Sequence, residues 1–260
     1  MRHPQALGWL LAALLLQPAL LCAEEGAQAG SSVETPGETQ SVTITAEPAQ
    51  PLNSYRALHV GLAAFDRTRR THGPEAQLRF RLLAAADDNR PQPLPPGVQV
   101  VLRGAQATLP LPLDAQGRFA LPDDAFWLGE QAEVDINRHG GFGWFPDVRT
   151  PGVPPNSRRL GDLRLECTVL TEVLKSEAHW LRRAALTVVT LGGDLCAVKF
   201  GRYVATAGQA IRGAQLRSQG RTLALTLVSP YDFEVPLADA SWPDDALIEF
   251  SFPEAVPASS

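Results

Sequence analysis

Leu102-Arg-Gly-Ala-Gln-Ala-Thr-Leu-Pro-Leu-Pro-Leu-Asp-Ala-Gln-Gly-Arg-Phe-Ala-Leu-Pro122 returns without a gap as Leu216-Arg-Ser-Gln-Gly-Arg-Thr-Leu-Ala-Leu-Thr-Leu-Val-Ser-Pro-Tyr-Asp-Phe-Glu-Val-Pro236. Leu102, Arg103, Thr108, Leu109, Leu111, Leu113, Phe119 and Pro122 recur as Leu216, Arg217, Thr222, Leu223, Leu225, Leu227, Phe233 and Pro236, and Leu121 returns as Val235. The shared apolar positions alternate in step two, the pattern of half-buried strands. A duplicated β-unit implies a scaffold of two related modules. Leu109, Leu111 and Leu113 are expected to face inward, Asp114 to Gly117 to turn, and Phe119 and Leu121 to return as the second arm of a hairpin. Pro110 and Pro112 remove two N–H donors from one side of their strand, which predicts an edge position. Ala224 and Thr226 replace them in the second copy, so that strand is free to pair on both sides and the modules are expected to be assembled differently.

Outward from the repeat, the chain divides by composition. Arg2 and His3 precede an apolar run from Ala6 to Leu16, and Pro18 breaks it before Leu21-Cys22-Ala23. This is the layout of a signal peptide over residues 1–23. The run falls short of the roughly 20 apolar residues of a membrane helix, which argues against an integral membrane protein. A lipid-modified Cys22 would need a small residue where Leu21 stands, so cleavage after Ala23 is the reading taken. Residues 24–50 are Glu, Gly, Ser, Thr, Gln and Pro with few large apolar groups, a flexible linker by composition. Val42 and Ile44 alternate with threonines at its end.

The first module is placed at residues 51–137. Leu58, Val60 and Leu62 are read as a strand. Leu78, Phe80 and Leu82 alternate with Arg79 and Arg81, and Val98, Val100 and Leu102 lead into the repeat; Val134 and Ile136 close it. Residues 138–162, rich in Gly, Pro, Arg and aromatics, are read as a joining segment. The second module spans 163–254. Leu163, Leu165, Cys167 and Val169 carry strand periodicity, and Ser176 is a candidate N-cap for a helix over 176–190 that Gly192 and Gly193 would end. Strands at 198–204, 214–216, 222–228, 233–235 and 247–252 complete the module. Once residues 1–23 are removed, Cys167 and Cys196 are the two remaining cysteines, and in an oxidising compartment they read as one disulfide. A strand running out from Cys167 and a helix running back would bring that pair together.

The net charge of −5 names no partner. Nearly all positive charge is arginine, scattered along the chain rather than clustered, and a nucleic-acid role is not expected. His59, His72, His139 and His179 are far apart in sequence and lack the close ligand pair usual in zinc sites, so neither a metal nor a cofactor is expected. His139-Gly140-Gly141 resembles the start of an esterase oxyanion loop, yet no serine sits in a G-x-S-x-G elbow to complete it. Adjacent aspartates, as in Pro122-Asp-Asp-Ala125 and Pro243-Asp-Asp-Ala246, read as turn formers. Arg138, His139, Phe142, Trp144, Phe145 and Arg149 are the candidate binding residues, because arginine and aromatic side chains together form hot spots and sugar or cation–π platforms. The alternative is that these aromatics pack the modules together.

Residues 97–122, from Gly97-Val-Gln-Val-Val-Leu to Leu113-Asp-Ala-Gln-Gly-Arg-Phe-Ala-Leu-Pro122, resemble carboxypeptidase-regulatory-like and transthyretin-like modules. In those families a D-x-x-G-x-F turn links two strands of a seven-stranded Greek-key sandwich. The second copy, with Tyr231-Asp232-Phe233, lacks the glycine. Residues 146–162 also resemble a segment of uncharacterised secreted bacterial proteins. Neither resemblance transfers a functional residue.

The expectation is therefore a mainly β protein of two related Ig-like, transthyretin-like sandwich modules, the second with an inserted helix. Its expected role is that of a periplasmic or secreted, non-enzymatic envelope protein that binds or scaffolds a protein or glycan partner. The alternative is a hydrolase using His139 with partners distant in sequence.

Overall fold

The computed structural model of the chain describes residues 50–84, 92–177, 196 and 203–253. The predicted signal peptide and residues 24–49 of the linker fall outside them, as do residues 178–190 of the predicted helix.

β1 (Gln50–Ser54) runs directly into α1 (Tyr55–His72). Ser54 stays extended and its hydroxyl accepts the Ala57 amide at 3.2 Å, an N-cap. Gly73 closes the helix with its amide on the Arg69 carbonyl, and Arg69, Arg70 and His72 complement the C-terminal dipole. The strand expected around Leu58, Val60 and Leu62 is thus helix. Tyr55, Ala57, Leu58, Gly61, Ala64 and Phe65 are its buried positions, which lie three or four residues apart along one face.

β2 (Gln77–Ala84), β3 (Val100–Arg103), β4 (Thr108–Leu111), β5 (Arg118–Phe119), the short α2 (Ala125–Gly129) and β6 (Glu133–Ile136) follow. β1, β6, β3 and β4 form one antiparallel sheet in that order. A second sheet has the order β5-β2-β7, with β7 spanning Phe142–Arg149. The repeat is consequently not a hairpin. β4 pairs with β3 and β5 with β2, so the Asp114–Gly117 turn carries the chain from one sheet to the other. Gly117 adopts φ +71, the left-handed conformation this turn needs. As its prolines predict, β4 is an edge strand. There Leu111 is buried while Leu109, expected inside, is 37% exposed.

The second half repeats this plan. β8 (Ser157–Arg159) enters α3 (Leu160–Glu177), and β9 (Tyr203–Thr206), β10 (Gly213–Ser218), β11 (Arg221–Ala224), β12 (Asp232–Val235) and β13 (Leu247–Ser251) follow. Its larger sheet has the order β8-β13-β10-β11, the counterpart of β1-β6-β3-β4. The registers correspond too. Val100 faces Ile136 and Leu102 faces Val134, while Ala214 faces Phe250 and Leu216 faces Ile248. Phe119 pairs with Phe80, and Phe233 with Ala205. Both helices have 18 residues. Each starts by donating an amide to the residue before a closing strand, Tyr55 to Ala132 and Leu160 to Ala246. Among the described residues β11 is an edge like β4, without the second partner that Ala224 and Thr226 would allow, while the smaller sheets differ: β5-β2-β7 in the first half and β12-β9 in the second. The turn of the second copy manages without glycine because the Ser229 hydroxyl accepts the Tyr231 and Asp232 amides.

Residues 163–169 are helix, not strand, and Ser176 lies in the last turn of α3 with its hydroxyl on the Val173 carbonyl. The alternation that suggested a strand comes from two helical stripes on one helix. Leu165, Val169 and Val173 pack into the first core, and Leu160, Leu163 and Cys167 into the second. Cys167 is bonded to Cys196, the expected pair, from a helix rather than from a strand. Residues 138–162 do not merely join modules. They contain β7, which completes the first half's second sheet, and β8, which opens the second half's larger one.

α1 and α3 approach closely at Gly61, where a Cβ would meet Val173 at 2.7 Å. Tighter still is Gly161, whose added Cβ would stand 2.2 Å from the His72 carbonyl oxygen. Gly161→Ala is therefore expected to destabilise the protein by about 3 kcal/mol in urea unfolding, since backbone cannot rotate away as a side chain can. Cys196→Ser should cost about 3 to 4 kcal/mol by the loop-closure argument for a separation of 29 residues. A midpoint unchanged from wild type in either variant would contradict the corresponding packing.

Candidate binding surface

Strand alternation sorts the aromatic and basic residues of β7. Phe142 and Trp144 turn inward, and the Trp144 ring meets Phe80 edge-on at 5.5 Å. Phe145, Asp147 and Arg149 take the opposite face. Across the sheet, Arg81 pairs with both Phe145 and Arg118, and Arg79 pairs with Asp147. The face of this sheet opposite its core thus gathers Arg79, Arg81, Arg118 and Arg149 around Asp114, Asp147 and the half-exposed ring of Phe145; Asp147 is buried there and Arg81 lies against Gly208, while Arg79 and Phe145 reach solvent.

The two carboxylates are shared. Asp114 accepts Arg118 Nε at 2.8 Å and Arg79 Nη1 at 3.2 Å. It also caps the turn by accepting the Gln116 and Arg118 amides. Asp147 accepts Arg149 Nε at 2.8 Å and bonds Arg81, with Arg118 at 3.7 Å. Burial alone would raise the Asp147 carboxyl. The hydrogen bond and charge of Arg149, with Arg81 and Arg158, outweigh that and hold it down at about 2. Asp114 is lowered as well, its burial outweighed by hydrogen bonds from Arg118 and Gln116. The first shift comes from neighbouring guanidiniums, the second chiefly from the hydrogen bonds that close the turn.

Behind this face the free edge of β7 is held by α3. Glu166 Oε1 accepts the Val148 amide at 2.7 Å, and Asp162 accepts the Thr150 amide at 2.9 Å and its hydroxyl at 2.6 Å. Arg158 bonds the same Glu166 oxygen and the Val148 carbonyl. Burial pushes the Glu166 carboxyl up, opposed by the Arg158 charge. Tyr203 stands close enough that Glu166 adds to the upward push burial gives its phenol.

The remaining candidates do not join the face. Arg138 donates to the Pro96 carbonyl at 3.0 Å and pins a turn. His139 is exposed and makes no hydrogen bond to a described serine or carboxylate. Sequence reasoning found Phe145 and Arg149 but missed Arg79, Arg81 and Arg118. Arg79 and Arg81 were legible as the outward positions of β2; Arg118 needed the pairing of β5 with β2.

A separate cleft of about 380 Å³ lies where α1 ends, lined by His72, Arg164, Thr168, Trp242, Asp244 and Cys196. His72 Nδ1 is 3.1 Å from both Asp244 oxygens, and Arg164 Nη1 is 2.6 Å from one. The other Arg164 donors hold the carbonyls of Leu237, Asp239 and Trp242. This arginine is thus occupied in fixing the loop before β13. Among the described residues no three His, Cys, Asp or Glu side chains converge as metal ligands.

Because the folded Asp147 carboxyl lies below its ordinary 3.8, its stabilisation is complete above that value and is lost as pH falls through about 2. The unfolding free energy of wild type relative to Asp147→Asn should therefore shrink by about 2 kcal/mol between pH 5 and pH 2. A pH-independent difference would show that Asp147 is not held by these arginines.

The chain matches no protein-family model, no curated protein and no solved structure.

Proposed function

We propose that this chain is a non-enzymatic envelope protein, secreted or periplasmic after removal of residues 1–23, whose two related modules scaffold a binding surface for a protein or glycan partner. The observation that carries this reading is the outer face of β5, β2 and β7. Arg79, Arg118 and Arg149 reach solvent there around the half-exposed ring of Phe145, above the buried pair of Arg81 and Asp147. Each half has a four-stranded antiparallel sheet facing further strands across a shared core, which favours an Ig-like or transthyretin-like ancestry modified by the helix after the first strand. Export is supported by the Cys167–Cys196 bond and the apolar run at 6–16. No helix among the described residues is long and apolar enough to cross a membrane.

A photo-crosslinking residue placed at Phe145 in the full chain should trap a partner in the envelope, whereas one at Val228, exposed in the second half, should not. Arg79→Glu combined with Phe145→Gln should abolish a trap placed at Gln77 while leaving the circular dichroism spectrum intact. Equal trapping at all positions, or trapping indifferent to Arg79→Glu, would remove this face as the binding surface.

A further inference from the structure

We propose that the outer edge of β11 is a self-association site, at which β11 of a second copy of this chain pairs antiparallel across a two-fold axis at Leu223. This contact is separate from the binding face on β5, β2 and β7. The tight turn Gln219–Gly220, both residues at positive φ, joins β10 to β11 and pairs Ser218 with Arg221, Arg217 with Thr222, Leu216 with Leu223 and Gln215 with Ala224. The Leu225 amide donates to the Ala214 carbonyl at 2.9 Å. By the alternation of an antiparallel ladder, Arg221 and Leu223 also turn their backbone groups to β10, and Thr222 and Ala224 turn theirs away. No described strand lies on that side, and every residue of β11 is exposed. Beyond Leu225 the edge closes, because the Thr226 carbonyl accepts the Glu234 amide at 2.9 Å.

An open edge with its amides intact is a template for another strand, and this chain shuts such edges elsewhere. Pro110 stands in β4 where Ala224 stands in β11, opposite Val101 as Ala224 is opposite Gln215, and has no amide to offer. α3 covers the edge of β7 through Glu166 and Asp162. β11 has neither device, and its charged side chain, Arg221, is drawn onto the Trp242 ring and the Ser241 carbonyl. The stretch is also its own complement. With the axis at Leu223, Thr222 meets Ala224 of the second copy on either side, and each such pair exchanges both N–H···O bonds. Leu223 meets its own mate in the close, non-hydrogen-bonded position. It lies on the core side of the sheet beside buried Leu216, yet is 40% exposed, and a second Leu223 would cover it. Arg221 falls opposite Leu225, so no like charges face each other. A strand from another protein would need pockets for its side chains, and the exposed Thr222, Leu223 and Ala224 form none. The two-fold pairing closes on itself, and Pro110 keeps β4 from extending it.

So short an edge buries less than the roughly 1,200 Å² of a stable interface, which sets the expectation of a weak, concentration-dependent dimer. Sedimentation velocity on the full chain should show monomer at about 5 μM and a growing share of dimer toward about 500 μM. Ala224→Pro, the residue β4 carries at the matching place, should keep the circular dichroism spectrum and weaken the dimer at least about tenfold. Leu223→Lys reads the same contact without touching the backbone: like charges then meet at the axis, and the dimer should weaken about tenfold and recover in high salt. Under mild oxidation Leu223→Cys should link two copies, because the paired Cα atoms stand about 4.5 Å apart. Leu109→Cys, exposed at the matching place in β4 and carrying the same other cysteines, should not. A chain that stays monomeric at about 500 μM leaves the edge to some other strand and overturns the proposal. A dimer indifferent to both Ala224→Pro and Leu223→Lys, or equal linkage by the two cysteine variants, overturns it as well.

Discussion

The Glu166 carboxylate, buried between the Val148 amide and Arg158, is the contact on which the rest of the arrangement depends. β7 is an edge strand, and an edge offers unpaired amides and carbonyls that must be satisfied or exposed. In this chain the edge is covered by a helix whose side chains replace the missing strand. Glu166 and Asp162 of that helix accept amides, and Arg158 of the preceding strand β8 donates to a carbonyl. Burying a carboxylate costs several kcal/mol, and only a paired charge and well-made hydrogen bonds offset it. The reward is positional. α3 is fixed against the first half while its other stripe belongs to the core of the second, so one helix sets both.

That double commitment explains how two copies of one plan became a single asymmetric unit. α1 serves one core, and α3 serves two. β2 is flanked on both sides, by β5 and β7, whereas its counterpart β9 pairs among the described residues with β12 alone. Among the described residues the first half therefore has the broader second sheet, and β7 brings Phe145 and Arg149 beside the arginines of β2 and β5. Asp147 and Arg149 lie on the very strand that has no counterpart among the described residues of the second half. β7 adds one guanidinium and one carboxylate, Arg149 and Asp147, together with the half-exposed ring of Phe145, to a sheet already carrying Arg79, Arg81 and Arg118.

Much of the strand framework was legible in the sequence. Phe80 and Leu82 alternating with Arg79 and Arg81 gave the two faces of β2, and Pro110 and Pro112 marked an edge. The pairing of Cys167 with Cys196 followed from counting. The helices were misread for identifiable reasons. In α1 the alternation of Leu58, Val60 and Leu62 hid a helical stripe, although Ser54 offered a cap. In α3 two stripes superposed and imitated a strand, a pattern that sequence periodicity cannot resolve because both readings bury the same residues. The candidate site was half legible. Phe145 and Arg149 stood out by composition, but Phe142 and Trp144 stood beside them in the chain and face the core.

The sequence by itself determined the duplication, the local alternation of most strands and the residues able to form a turn or a disulfide, because these depend on neighbours within a few positions or on residue chemistry alone. Tertiary structure decided which strands pair, that the repeated turn crosses between sheets, that α3 is shared by two cores, and that Arg79, Arg81, Arg118 and Arg149 converge on one face. Those outcomes depend on hydrogen-bond register and on burial between segments far apart in the chain, and neither is written in any one segment.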